Sequence, residues 1–141
     1  MTFLHVMLKN SNDDLIELPL AKQVNINGKR HYETPSGTFV SITTLLSSKT
    51  PEGIDDWRKA VGDDVADYVM RTAASRGSKV HEIIEHFLSN IQLENLTQNY
   101  GVLPAGLFNL MKPSLQRINN IHAIETAVFS ERLMVAGRVD C

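Results

Sequence analysis

The chain has a single cysteine, Cys141, so it cannot close an internal disulfide, and no cysteine-based zinc site is available. It has no excess of either charge: 14 basic against 16 acidic residues give a formal net charge of -2 and a pI near 6.2. The overall basicity common in nucleic-acid-binding proteins is therefore absent, and any such contact must come from a local basic patch. No apolar run approaches the ~18 residues needed for a membrane helix. The opening Met1–Asn10 segment lacks the basic-then-apolar order of a signal peptide. Walker loops, GxGxxG and G-x-S-x-G are all missing. These absences favour a soluble, cytoplasmic protein kept in a reducing compartment, with no membrane partner. The sequence leaves its oligomeric state open.

What is present fits one globular domain of 141 residues, with 43% hydrophobic and 21% charged residues. Residues 1–23 read as an N-terminal extension, with a turn at Asn12-Asp13-Asp14. Val24-Asn25-Ile26 and Lys29-Arg30-His31-Tyr32 flank Asn27-Gly28, a pair suited to the two positive-φ positions of a tight hairpin. Pro35-Ser36-Gly37 predicts a second turn before Thr38-Phe39-Val40. Ser41 is placed to cap a short helix through Leu46, its hydroxyl accepting from a first-turn amide. Pro51-Glu52 opens the next helix, which carries Ile54, Trp57 and Val61 and ends at Gly62.

The longest helix is expected from Asp63 or Asp64 to Ser89. Val65, Val69, Ala73, Val80, Ile83, Ile84, Phe87 and Leu88 form its apolar stripe, and Gly77 marks either a break or a close backbone approach. Residues 90–101 read as loop. Pro104 opens a helix carrying Leu107, Leu110, Met111, Leu115 and Ile118, with a kink at Pro113. Ala123–Ser130 and Met134–Asp140 read as two strands joined near Glu131-Arg132. The expected class is α+β (or α/β): an N-terminal hairpin, a helical region, then the start of a mixed central sheet. On this reading two closing strands are too few to stand alone, and the sheet is incomplete.

Two places carry candidate chemistry. On the long helix, Ala74, Gly77 with Ser78, His81 and Glu85 fall on one ridge, small residues beside an imidazole and a carboxylate. The spacing alone is also that of a solvated flank with a His–Glu pair. His81 and His86 do not make a zinc-protease helix, because five positions separate them by roughly 140° around the axis. The second place is Ala136-Gly137-Arg138-Val139-Asp140, where a carboxylate on an otherwise apolar strand suits a hard cation. By itself it reads more readily as an acidic residue at a strand end. Arg71, Arg76 and Lys79 are the basic residues best placed to meet phosphates.

Five segments in order raise the specificity: Tyr32-Glu33-Thr34-Pro35-Ser36-Gly37, Ser41-Ile42-Thr43-Thr44-Leu45-Leu46, Trp57-Arg58-Lys59-Ala60-Val61-Gly62, the Ala74–Glu85 stretch, and Gly137-Arg138-Val139-Asp140. This run, over roughly residues 29–141, resembles the RecB-like branch of the PD-(D/E)xK nucleases, closest to phage exonucleases and the mitochondrial genome maintenance exonuclease. The resemblance implies that residues 24–141 are the N-terminal part of a restriction-endonuclease-like domain. It implies Mg²⁺- or Mn²⁺-dependent hydrolysis of DNA, single-stranded or at ends, in replication or repair, and a phage-encoded protein would act in the host cytoplasm.

Carried over, His81 and Asp140 are metal ligands, and Glu85 supports the site or orients a water. Arg76, Lys79, Ser41 and Thr43 meet DNA, and Glu125 is a further acidic candidate. Two departures stand out. Val40 replaces the proline usual before Ser-Ile-Thr, and the acidic-x-Lys motif that follows the family's first aspartate has no counterpart within the 141 residues. Weak metal binding and little cleavage are the corresponding expectations. The competing reading is a non-catalytic helical module that binds DNA or protein through Arg71, Arg76 and Lys79; a third is a product without independent function, its exposed sheet edge prone to aggregate.

Overall fold

In a computed structural model, residues 2–9, 11–47 and 52–141 are described. The predicted helix-opening role of Pro51 lies outside them. The chain divides into two compact units: a helical one from Met1–Leu4 and Pro51–Ile121, and a sheet unit from His5–Thr50 and His122–Cys141. The class is mixed α+β, as expected.

The sheet unit begins with a minimal hairpin, β1 (Leu8–Lys9) against β2 (Leu15–Ile16), around the predicted turn, where Asp13 takes a φ of 69° and pairs with Lys9 at 2.7 Å. β3 (Lys22–Ile26) and β4 (Lys29–Thr34) form the predicted hairpin; Asn27 and Gly28 supply the two positive φ values, 51° and 75°. Pro35-Ser36 turns β4 into β5 (Gly37–Ser41), and the Thr34 hydroxyl donates to the Gly37 carbonyl at 2.7 Å. The two late strands, β6 (Thr126–Ser130) and β7 (Val135–Val139), do not form a separate sheet. β7 runs parallel beside β5, and the five strands take the order β3-β4-β5-β7-β6. The two-strand count is thus corrected: the early hairpin and the late strands share one mixed sheet.

Tyr32, Phe39 and Ala136 form the buried core of this sheet, with Ala21, Ala127 and Phe129 packed beside them. Tyr32 and Phe39 are direct cross-strand partners, and the Phe39 and Phe129 rings lie 5.9 Å apart. A short helix, α1 (Ile42–Ser47), leaves β5 directly. Gly137 has a steric reason to be glycine: a Cβ there would meet Ile42 Cγ2 of α1 at 3.0 Å.

In the helical unit, α2 (Glu52–Val61) ends at Gly62, whose φ of 87° suits glycine, and α3 runs unbroken over Asp63–Leu88. Arg58 ties the two together, bonding Asp63 at 2.9 Å and Asp67 at 2.5 Å. Those bonds, first the one to Asp67, hold its guanidinium pKa above the ordinary arginine value. The glycine at 77 neither breaks α3 nor admits a neighbour, since nothing lies within 4 Å of where its Cβ would be.

The predicted stripe holds only in the second half of α3. Val80, Ile83 and Leu88 are buried, but Val65 and Val69 are 51% and 43% exposed, and Ala66 is the buried residue of the first half. Residues 90–101 are not all loop: Leu96–Tyr100 form α4, separated by Gly101 from α5 (Val102–Leu115). α5 continues two residues past Pro113, and its buried face is Pro104, Ala105, Phe108 and Leu115. Leu110 and Met111, expected inside, are 79% and 43% exposed. The face is turned by about one residue, roughly 100°, from the predicted one.

Ile83, Phe108 and Leu115 centre this unit's core, joined by Phe87, Leu93, Leu96 and Tyr100. Residues near the N-terminus belong to it. The Phe3 ring stacks edge-on against Phe87 at 5.0 Å, its backbone N–H donates to Asn90 Oδ1 at 2.7 Å, and its carbonyl accepts from Asn90 Nδ2 at 3.0 Å. Among the described residues, no helix is long and apolar enough to cross a membrane.

Candidate metal centre

The sharpest grouping of candidate residues lies in the sheet unit, at one end of the β6–β7 pair. Thr126 faces Val139 across that pair, so Glu125 and Asp140 sit one residue beyond it on either strand. The Glu125 N–H donates to the Asp140 carbonyl at 3.0 Å, extending the ladder by one bond. Carboxylate oxygens of the two side chains lie within 4.8 Å of each other. Glu125 holds a left-handed φ of 48°, unusual for a side chain of its size. Such strain persists only where surrounding contacts impose it.

Arg138 supplies part of that constraint. Its Nε lies 2.6 Å from Glu125 Oε2 and donates to the Glu125 carbonyl at 3.1 Å. The Glu125 side chain is only 14% exposed, so it is a partly buried carboxylate with a guanidinium bonded to it. Alternation along β7 puts Ala136, Arg138 and Asp140 on one side of the strand. Ala136 is in the core, and the two charged residues follow it outward to the end of the strand. Arg138 falls inside a motif quoted above without a role of its own; its two-residue spacing from Asp140 is the signal that the sequence offers.

His81 is exposed on α3 in the helical unit, and Glu85, one turn later, is half-buried on the same face. Arg76 and Lys79 do not share that face. Arg76 lies five positions before His81 and Lys79 two, placing them roughly 140° and 160° away around the helix. They line an open groove of about 380 Å³ together with Thr72, Ser75, Tyr100 and the first turn of α5. Arg71 is exposed on the same helix.

His86 turns toward α4: its Nδ1 lies 3.2 Å from the Tyr100 hydroxyl, which also donates to Glu82 Oε1 at 3.4 Å. Burial, and secondarily the Glu82 charge, push the Tyr100 phenol pKa above its usual value. With His86 engaged there, a shared zinc site with His81 has no support.

Ser41 is 1% exposed, and its hydroxyl meets that of Thr43 at 2.8 Å. The predicted acceptance from a first-turn amide of α1 gives way to this hydroxyl pair. Of the two residues, only Thr43 is at the surface. Comparison with known proteins gave no match to a family model, a curated protein or a solved structure.

Proposed function

We propose that this chain contributes to a divalent-cation centre for hydrolysing DNA phosphodiester bonds, with Asp140 and Glu125 as carboxylate ligands and His81 as an imidazole ligand. The observation that carries this reading is the Glu125–Asp140 pair at the end of β6 and β7. Two carboxylates within 4.8 Å, one of them partly buried, bring oxygen donors of the kind a hard cation takes to one end of the sheet. The donor set fits the expected metals. Carboxylates suit Mg²⁺, and adding an imidazole nitrogen moves the preference toward Mn²⁺.

A cation held there supplies Lewis-acid polarisation of the phosphate and lowers the pKa of a bound water. The chain's own residues do the positioning. Arg138 holds Glu125 through its carboxylate and its carbonyl, and the Glu125–Asp140 backbone bond fixes the spacing of the two acids. On this reading Glu85, one turn after His81, supports the imidazole or accepts a proton from water. Thr43 offers a surface hydroxyl for a phosphate oxygen, with Ser41 orienting it from beneath. A restriction-endonuclease-like sheet is the fold this reading implies, and the mixed five-stranded sheet is compatible with it.

Titration with Mn²⁺, followed by the loss of the free-ion electron paramagnetic resonance signal, tests the centre. The expected result is one site, weakened at least tenfold by Asp140→Asn, by Glu125→Gln and by His81→Ala. A parallel incubation with labelled single-stranded DNA measures cleavage. Mn²⁺ binding untouched by all three substitutions, or absent from the wild-type chain, overturns the assignment.

A further inference from the structure

The groove on the other side of α3 has no part in the metal centre, and its lining has a chemistry of its own. Arg76 and Lys79 enter it from adjacent turns, with the Thr72 and Ser75 side chains beside them. Among the described residues neither cation is paired with a carboxylate, and no acidic residue lines the groove. The nearby acid, Glu82, accepts from the Tyr100 hydroxyl.

The opposite wall is the start of α5. Its N-cap, Gly101, has no side chain to satisfy the first turn, and Pro104 brings no N–H. The amides of Val102 and Leu103 therefore add a partial positive charge to a wall facing two full ones. The same turn carries an apolar ledge, Val102 and Leu103 being 75% and 63% exposed, next to the half-buried Tyr100 ring. The Thr72 hydroxyl donates to the Tyr68 carbonyl, so the two cations and the Ser75 hydroxyl, beside an apolar and aromatic ledge, are what suit a group with an anionic end and a flat apolar end.

We propose that this groove binds the phosphate of a nucleotide unit, free or within a single strand, with Arg76 and Lys79 on the phosphate and the Tyr100–Leu103 ledge against the base. The site goes beyond the metal-centre reading: it faces away from His81 and needs no cation. A single strand held here is anchored by charge and stacking rather than by base-edge recognition, so binding is sequence-tolerant and salt-sensitive.

The test uses the whole chain in EDTA, which removes any metal-dependent binding. Fluorescence anisotropy of a labelled oligothymidylate is measured over a range of salt, and a 5′-mononucleotide and inorganic phosphate are added as competitors. For Arg76→Gln/Lys79→Gln, the expected result is at least tenfold weaker binding and a salt slope shallower by about 0.7 for each phosphate no longer neutralised. Val102→Asp/Leu103→Asp, which leaves both cations in place, is expected to weaken binding as well. Circular dichroism of both variants verifies that the helices persist.

Competition by the mononucleotide at concentrations where inorganic phosphate has no effect supports the ledge as well as the cations. Should only the free mononucleotide bind, and be lost in the double-glutamine variant, the ligand is a nucleotide rather than a strand. Binding in EDTA that survives the double-glutamine change in a folded chain overturns the proposal, as does binding that falls only with His81→Ala or Asp140→Asn.

Discussion

Replacing Phe108 by alanine removes the largest fully buried side chain of the helical unit, 1% exposed and packed between Ile83 and Leu115. Its ring meets Phe87 edge-on at 5.2 Å, and Phe87 in turn meets Phe3 at 5.0 Å, so three aromatics form a chain from residue 3 to α5. Truncating a buried phenylalanine to alanine costs about 3–5 kcal/mol, covering lost transfer energy and the cavity left behind. Losing one edge-on aromatic pair accounts for about 0.5–1.5 kcal/mol of such a cost.

Against a total stability of about 5–15 kcal/mol, this removes a fifth or more. Urea unfolding reports it through two signals, far-ultraviolet circular dichroism for the helices and the fluorescence of Trp57, the chain's one tryptophan. Both are expected to shift to lower urea with an unchanged slope. Leu110→Ala is the internal control: at 79% exposure it is expected to change stability by less than about 0.5 kcal/mol. If the losses are reversed, with Leu110 costly and Phe108 below about 1 kcal/mol, α5 is facing the wrong way and the helical core described above is wrong.

Arg138→Met removes the guanidinium that bonds the partly buried Glu125 carboxylate beside Asp140; the expected loss is about 1–3 kcal/mol in the absence of metal, read by thermal unfolding. Added Mn²⁺ is expected to restore more stability to this variant than to the wild type, and equal gains would refute the shared-ligand reading. For Tyr100, the raised phenol pKa sets the sign of a pH effect. The folded chain keeps a proton that the unfolded chain releases at about 10, so its contribution is complete below that pH and declines as pH climbs through the folded value. Tyr100→Phe is expected to flatten this alkaline loss, and an identical slope in the variant would refute it.

Local chemistry explains which elements could be read from sequence. Asn27-Gly28 was legible because few residue pairs tolerate two successive positive φ values. Gly62 followed by Asp63-Asp64 marked the start of α3 for similar local reasons. The buried face of α5 is not legible in the sequence because apolar residues surround much of that helix. With leucines or methionine at 103, 107, 110 and 111 and phenylalanine at 108, periodicity has little contrast with which to choose a face.

α4 leaves no periodic signal, because only Leu96 and Tyr100 of its five residues are directed inward. For the candidate centre, His81 and Asp140 came from an ordered set of motifs. The nearness of Glu125 to Asp140 depends on which residues face each other in β6 and β7, and the role of Arg138 depends on the same pairing. Nor does any local signal announce that β5 and β7 are neighbours.

That neighbourhood governs the order in which the molecule can assemble. Val40 lies beside Val135, 95 positions later (135 − 40), and the 51–121 part of the helical unit is synthesised between them. Helices rich in near-sequence contacts form quickly, whereas a parallel pairing across so long a span waits on the closure of a large loop. During synthesis the first three strands of the sheet therefore emerge and fold back with one flank of β5 unzipped. Until β7 leaves the ribosome, that flank is open to pairing with another nascent chain, and the acidic pair at the end of β6 and β7 does not yet exist.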